Sequence, residues 1–420
     1  MKIATVGLWH LGTITSLGLA NLGHEIFAFD ENQDVIKNFN SKIPTINEPR
    51  ILNLLNKYLN KKIKFTNDFN NLKKYNLIYI TYDAKINNKD ESDFEYLFNK
   101  IKKILKIIKK KTLVVITSQI PLGSIKKIEN YEKKFVKKSI KFSYLPENYR
   151  IGKSIDIFMK PDRLVFGLRN LKLKYIFQKI YSKINCEKIF VSPETAEMSK
   201  HVINSFLACS VSFANEIGNI ARNYDISLDD LERSVKSDKR IGFKSYLKPG
   251  NAFSGGTLGR DLNFLIKLSK NLRIKNNLIR SILKSNSVHS KWIINHIYKN
   301  FKSKNCKILQ IGLSYTNKTS TIRRSLALDI FNKLKKNYKI KFFDEEYIIK
   351  SREIRKYKKY LFNKSKKNDK YDLILIFNNS FDFNLLKKNI KNNTVILDTN
   401  NLKDTKKIFK HYRYVSVNNA

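Results

Sequence analysis

The chain has 420 residues, 42% of them hydrophobic, with 82 Lys plus Arg against 36 Asp plus Glu and a net charge of +46. At roughly 150 residues per domain this length predicts two or three domains, and the apolar fraction excludes general disorder. No run approaches the ~18 apolar residues of a membrane span. The start, broken by Gly7, His10 and Gly12, does not read as a secretory segment. Cys186, Cys209 and Cys306 are too few and too far apart for a disulfide framework or a CxxC metal site. That usage predicts a reducing, cytoplasmic setting, and the scattered histidines predict no metal. The lysines run along the whole chain beside Asn and Ile, so they read as a solvated surface that steers anions inward. A nucleic-acid-binding protein is the last-ranked reading, since no such motif is present.

In chain order, Lys2–Val6 predicts a strand, followed by a glycine turn and a helical stretch to Leu22. Glu25–Phe29 predicts a second strand ending at Asp30. Later strands are expected at 77–81, 112–117, 140–144 and 164–167. Ile101, Ile104, Leu105 and Ile108 form one apolar stripe in a lysine-rich helix. It reads as a crossover helix of a parallel sheet, with a membrane-surface helix as the alternative. Ser192-Pro193-Glu194 is a helix start of hydroxyl cap, first-position proline and first-turn acid. One long helix should run from there to about Tyr224, with more helix to about Lys302. From Cys306 the α/β pattern restarts: strand Lys307–Ile311, Gly312, a helix around 325–334, strand Lys339–Phe343, Asp344, then strands at 373–377 and 395–397.

Gly7-Leu8-Trp9-His10-Leu11-Gly12 follows the first strand and opens a helix, and Asp30 closes the next strand. This is the shape of a dinucleotide site. Glycines form the tight turn, helix-start N–H groups receive the pyrophosphate, and the acid takes the ribose hydroxyls. Asp30 followed by Glu31 repels a 2′-phosphate, which predicts NAD. Trp9 stands where the fingerprint has its middle glycine. The competing reading is a structural βα turn with a helix-capping or solvent-facing Asp30.

Further motifs recur in order along the chain: Thr117–Gly123, Pro146–Arg150 with Lys160–Arg163, Ala196–Lys200 through Asn204, Phe213–Glu216, Arg240–Gly242, Gly255–Asp261, Gly312–Tyr315 and Ile322–Ser325. With Met1–Asp30, they make the sequence resemble the UDP-glucose/GDP-mannose dehydrogenase family. The resemblance implies an α/β fold with three parts. Residues 1–190 form a Rossmann-like NAD-binding domain, 191–300 a central long-helix, dimerisation and substrate-loop region, and 301–420 a smaller Rossmann-like domain for the nucleotide sugar. It also implies NAD as cofactor, a UDP- or GDP-sugar as substrate, a homodimer and a role in polysaccharide precursor synthesis. Family enzymes oxidise the sugar C6 alcohol to a carboxylate in two hydride transfers, holding the aldehyde on a cysteine.

That cysteine is replaced by Leu258. Cys209 does not substitute, because on a helix it points ~140° from Asn204 and ~180° from Lys200. The family threonine is Gln119, a family glutamate is Ile151, and Gly259-Arg260 replaces proline-lysine. The expected catalytic set is Lys200, Asn204, Asp261 and Glu147. Lys200 and Asn204 are four residues apart on one helix face, an ammonium beside an amide, suited to a developing oxyanion. Asp261 can share the C6 proton or cap a helix. Glu147 can act as base through water or be a loop acid with a surface partner. The cofactor set is Gly7, Trp9, Leu11, Gly12, Asp30 and Ser118. For the substrate the set is Phe243, Tyr246, Gly255 and Arg323. Arg323 is the phosphate fork or a surface cation, and the two aromatics are pocket walls or ordinary core. The chemistry expected is a thiol-less NAD-dependent dehydrogenase. A silent NAD- or sugar-binding homologue is the alternative.

Overall fold

The computed structural model describes residues 1–46, 48–82, 93–147, 149–150, 152–224, 226–314, 322, 324–349, 352–363, 369–379 and 382–417. It divides into two compact units, Met1–His201 and Val202–Ala420.

The first unit is built on eight strands: β1 (Lys2–Val6), β2 (Glu25–Phe29), β3 (Ile63–Thr66), β4 (Leu77–Ile80), β5 (Leu113–Ile116), β6 (Lys141–Tyr144), β7 (Arg163–Leu168) and β8 (Glu187–Val191). Their order is β3-β2-β1-β4-β5-β6-β7-β8. Every pair is parallel except β6 with β7, which corrects the expectation of a purely parallel sheet. The interior strands β4 and β5 are buried along their whole length, as apolar runs covered on both faces must be. One face carries the core of Ile3, Leu17, Phe158 and Phe166, the other that of Val6, Ile80, Ile101 and Leu105. The helix Phe94–Ile107 buries its isoleucine stripe there, so it is the crossover helix and not a membrane-surface one. β3 and β8 went unanticipated: β3 has four residues, and β8 is a partly exposed edge strand whose pattern gives no clean alternation. Strand order reverses between β1 and β4, which opens a crevice at their carboxyl ends.

The long helix spans Pro193–Ala221, starting where expected and stopping three residues short of Tyr224. Ser192 Oγ accepts the Thr195 N–H at 3.2 Å, the cap its sequence announces. In the second unit, helices Leu228–Ser237, Leu258–Asn271, Asn277–His289 and Trp292–Asn300 precede a second sheet. Its strands are β9 (Lys307–Ile311), β10 (Lys339–Phe343), β11 (Tyr371–Ile376), β12 (Ile390–Asp398) and the unanticipated β13 (Arg413–Ser416). Their order is β10-β9-β11-β12-β13, with every pair parallel.

Both sheets use the same turn. Gly7 (φ +100°) donates its N–H to Phe29 O at 2.8 Å, and Leu8 N–H donates to Asp30 Oδ2 at 2.7 Å. Gly312 (φ +91°) donates to Phe343 O at 2.8 Å, and Leu313 N–H to Asp344 Oδ2 at 2.7 Å. In each, a glycine in the left-handed region sends the chain off the first strand, and the acid closing the second strand fastens it. Among the described residues, no helix is long and apolar enough to cross a membrane.

Candidate active site

The first unit supplies the cofactor turn. A Cβ at Gly12 would lie 1.6 Å from Gly7 O, so only glycine lets the first helix, His10–Asn21, approach the turn. A Cβ at Gly7 would lie 2.6 Å from Tyr82 Cδ1. Trp9 caps that helix without a side-chain bond, and its indole is 55% exposed, so its bulk is not packed into the turn. Leu11 is buried on the same helix. Asp30 does more than face solvent: Oδ2 holds Leu8 N–H and Oδ1 holds Asn32 N–H at 2.9 Å. Each oxygen keeps lone-pair capacity for a ribose hydroxyl. Close-approach glycines, a helix start and an anchored acid at the switch point together fit a dinucleotide. Ser118 is fully buried, its hydroxyl turned toward Ile80 O at 3.5 Å.

Sequence reasoning missed a polar knot beside this turn. His10 Nε2 lies 3.1 Å from Glu48 Oε1 and 3.1 Å from Ser154 Oγ. Glu48 also accepts the Gly152 N–H at 2.9 Å and the Ser154 hydroxyl at 2.9 Å. Burial opposes its charge, but these bonds hold its carboxyl below the usual range. The visible signal was a histidine inside the glycine motif. Its partners lie up to 144 residues away.

Glu147 follows Pro146 at the end of β6. As a residue it is half-buried, while its carboxyl is enclosed by protein. Burial pushes that carboxyl up to about 7, against the Tyr149 hydroxyl bond and the Lys200 charge, which pull it down. Lys200 Nζ donates to the Glu147 backbone carbonyl, and its charge acts on the Glu147 carboxyl within this unit. Glu147 lies in the loop after β6, with the Tyr149 hydroxyl and the Lys200 charge acting on its carboxyl. Tyr149 was not singled out in the sequence, because nothing in a single chain marks a tyrosine as a carboxylate partner.

The second unit holds a buried pair of its own. Asn204 Nδ2 donates to Asp261 Oδ2 at 2.5 Å, and both residues are buried. Arg260 Nε lies 3.7 Å from Asp261 Oδ1. Asp261 is inside the first turn of helix Leu258–Asn271 and Thr257 is the cap, which corrects the capping alternative. Leu258 and Cys209 both pack against the cluster of Ala208, Leu262 and Ile282. Of the cysteines, Cys306 is buried, and Cys186 and Cys209 are half-buried.

The segment 248–256 is tied down along its length. Gly250 N–H donates to Asn215 Oδ1 at 2.9 Å, and its carbonyl meets His289 Nε2 at 2.8 Å. Asn251 N–H donates to Asn400 Oδ1 at 3.1 Å. Asn286 grips Phe253 twice, accepting its N–H at 2.8 Å and donating to its carbonyl at 3.0 Å. Gly255 (φ +81°) donates to Arg324 O at 3.0 Å. These asparagine clamps were not foreseen, because Asn286 sits in a helix rich in polar residues where an amide is not distinctive. Phe243 and Tyr246 are 72% and 40% exposed, which corrects the reading of them as ordinary core. Ile151 and Arg323 lie outside the described residues. Among those residues, no group of three His, Cys, Asp or Glu could hold a metal.

Two family models match in succession: the NAD-binding domain of the UDP-glucose/GDP-mannose dehydrogenase family over residues 1–185 and its central domain over 194–288. The chain belongs to the UDP-glucose/GDP-mannose dehydrogenase family. It is 30% identical over 356 residues to UDP-glucose 6-dehydrogenase of Rickettsia prowazekii, covering 82% of this chain and 81% of that one. UDP-glucose 6-dehydrogenase TuaD of Bacillus subtilis is 27% identical over 334 residues, covering 78% and 72%. The fold matches a UDP-glucose dehydrogenase structure from Pyrobaculum islandicum at TM-score 0.86 and 20% identity, covering 100% of this chain and 98% of that one. It matches a UDP-D-ManNAc dehydrogenase structure from Pyrococcus horikoshii at TM-score 0.81 and 22% identity, covering 100% and 99%. The family makes the chain an NAD-dependent oxidoreductase acting on a CH–OH group of a nucleotide sugar.

Proposed function

We propose that the chain oxidises the C6 hydroxymethyl group of a UDP-hexose, with UDP-glucose the first substrate to test. The likeness to UDP-glucose 6-dehydrogenase over 82% of the chain carries this reading. NAD accepts the hydride. Gly7, Trp9, Leu11, Gly12 and Ser118 shape its seat, and Asp30 orients the ribose. Lys200 and Asn204, four residues apart on the long helix, steady the developing alkoxide. Glu147, with its carboxyl near 7, takes the hydroxyl proton through water, and Asp261 orients Asn204 and shares that proton. Gly255, Phe243 and Tyr246 flank the sugar. Arg323 holds the diphosphate.

With Leu258 at the thiol position, the aldehyde has no sulfur to add to. The first turnover breaks one C–H and one O–H bond and yields the aldehyde and NADH. A second turnover requires the aldehyde hydrate and a second NAD. The test is NADH formed per UDP-glucose consumed. One means aldehyde release and two means oxidation through the hydrate. None with any UDP- or GDP-sugar overturns the reading.

A homodimer in the cytoplasm completes the proposal. Val202, Phe206, Phe213 and Ile220 recur at helical spacing along the long helix, and Phe206 and Phe213 are 69% and 55% exposed. A contiguous apolar stripe of this kind suits a second copy of the chain. Phe213→Asp, weighed by light scattering, should give monomer where the parent gives dimer.

A further inference from the structure

Asp30 and Glu31 are consecutive acids at the carboxyl end of β2, in a chain where bases outnumber acids by more than two to one. Asp30 is fixed by two backbone N–H groups. Glu31 is held differently: its Oε2 lies 2.5 Å from Nζ of Lys100 on helix Phe94–Ile107. That ammonium also stands 5.0 Å from the ring centroid of Tyr82 and 5.3 Å from that of Tyr96. Only 16% of the Lys100 side chain is exposed, against 45% for Glu31. The Tyr82 ring in turn rests on Gly7, the first glycine of the cofactor turn. The contacts therefore close a circuit: Gly7 and Leu8, Asp30, Glu31, Lys100, Tyr82, and back to Gly7. An ammonium gripped by one carboxylate and two ring faces is thus anchored at the edge where Asp30 meets a ribose.

We propose that Glu31 and Lys100 together set the preference for NAD over NADP. Glu31 adds a second negative charge beside Asp30, and it keeps occupied the one ammonium of this circuit, which a 2′-phosphate would otherwise pair with. The proposal rests on the reading that Asp30 takes the ribose hydroxyls. A phosphate carries up to two negative charges and pairs well with a lysine ammonium. Removing the Glu31 charge therefore acts twice: one repulsion disappears and one cation is released. Removing Lys100 alone frees Glu31 and leaves the repulsion in place.

Calorimetric titration of the full chain with NAD and with NADP reads this without any turnover. The variants are Glu31→Gln, Lys100→Met and the double variant, with Lys100→Gln replacing Lys100→Met if the latter does not fold. Glu31→Gln should narrow the NAD-to-NADP affinity gap by about tenfold or more. The double variant should lose most of that gain, and Lys100→Met alone should leave the gap as wide or widen it. An unchanged gap in Glu31→Gln, or an equal gain with and without Lys100, overturns the proposal. Asp30→Asn titrated with NAD separates the two failures. A loss of about tenfold keeps the ribose reading and confines any failure to Glu31 and Lys100. Unchanged affinity overturns the ribose reading and the proposal with it.

Discussion

Asn204 and Asp261 are joined by a 2.5 Å hydrogen bond in a buried setting, across 57 residues of sequence. The amide nitrogen donates, so Asp261 is held by a neutral partner on one side and by Arg260 on the other. Asn204→Ala leaves a buried carboxylate oxygen without its donor, at a cost of about 1–3 kcal/mol. Asn204→Asp sets a second carboxylate against the first. One of the two is then raised above its unfolded value, so stability is present at acid pH and falls as pH rises. Thermal melts from pH 4 to 8 should show Asn204→Asp weaker than Asn204→Ala at neutral pH, with the gap closing toward acid.

With Glu147 as the proposed base, its carboxyl sets the expected pH dependence. A base whose carboxyl is near 7 must lose its proton before it works, so the rate should climb with pH along a limb centred at about 7. Tyr149→Phe removes a bond that pulls this value down, so the limb should move to higher pH. The same group gives a stability signature. Its folded value exceeds the unfolded one, so its contribution is full below the unfolded value and is lost as pH rises through about 7. Glu147→Gln has nothing to lose there, and its melting temperature should gain on the parent between pH 5 and pH 8 while turnover disappears.

Leu258 opens the helix Leu258–Asn271, and a thiol at a helix start ionises readily. Leu258→Cys should raise the yield toward two NADH per sugar and make turnover sensitive to iodoacetamide, whereas the parent resists it. Trimming the half-buried leucine from its cluster should cost about 1–3 kcal/mol.

Glycine positions divide sharply. Gly12→Ala forces a methyl to within 1.6 Å of a backbone oxygen, so NAD affinity should collapse and the melt should drop by the equivalent of about 3 kcal/mol or more. Gly259→Ala meets nothing within 4 Å on a helix and should raise the melting temperature. Calorimetry with NAD and melts of both variants check the pair.

Much of this fold was legible because its strands are local. β1, β2, β9 and β10 are short apolar runs ending in glycine or aspartate, and their limits follow from residue type alone. β3 and β13 were missed because four residues are too short a run to stand out, and β8 because it is partly exposed along its length without alternation. At the site, spacing put Lys200 and Asn204 on one face, since a helix fixes that relation. His10 against Glu48 and Asn286 against Phe253 depend on how distant segments meet. No local pattern encodes such meetings.

The repeated glycine turn ends differently in its two copies. Asp30 keeps a half-exposed carboxylate, but Asp344 is 1% exposed, holds Leu313, Ser314 and Glu345 N–H groups, and is pushed up by burial. In the later copy the acid and the first amides beyond Gly312 are thus committed to one another. One turn keeps its carboxylate at the surface, and the other seals it inside the protein.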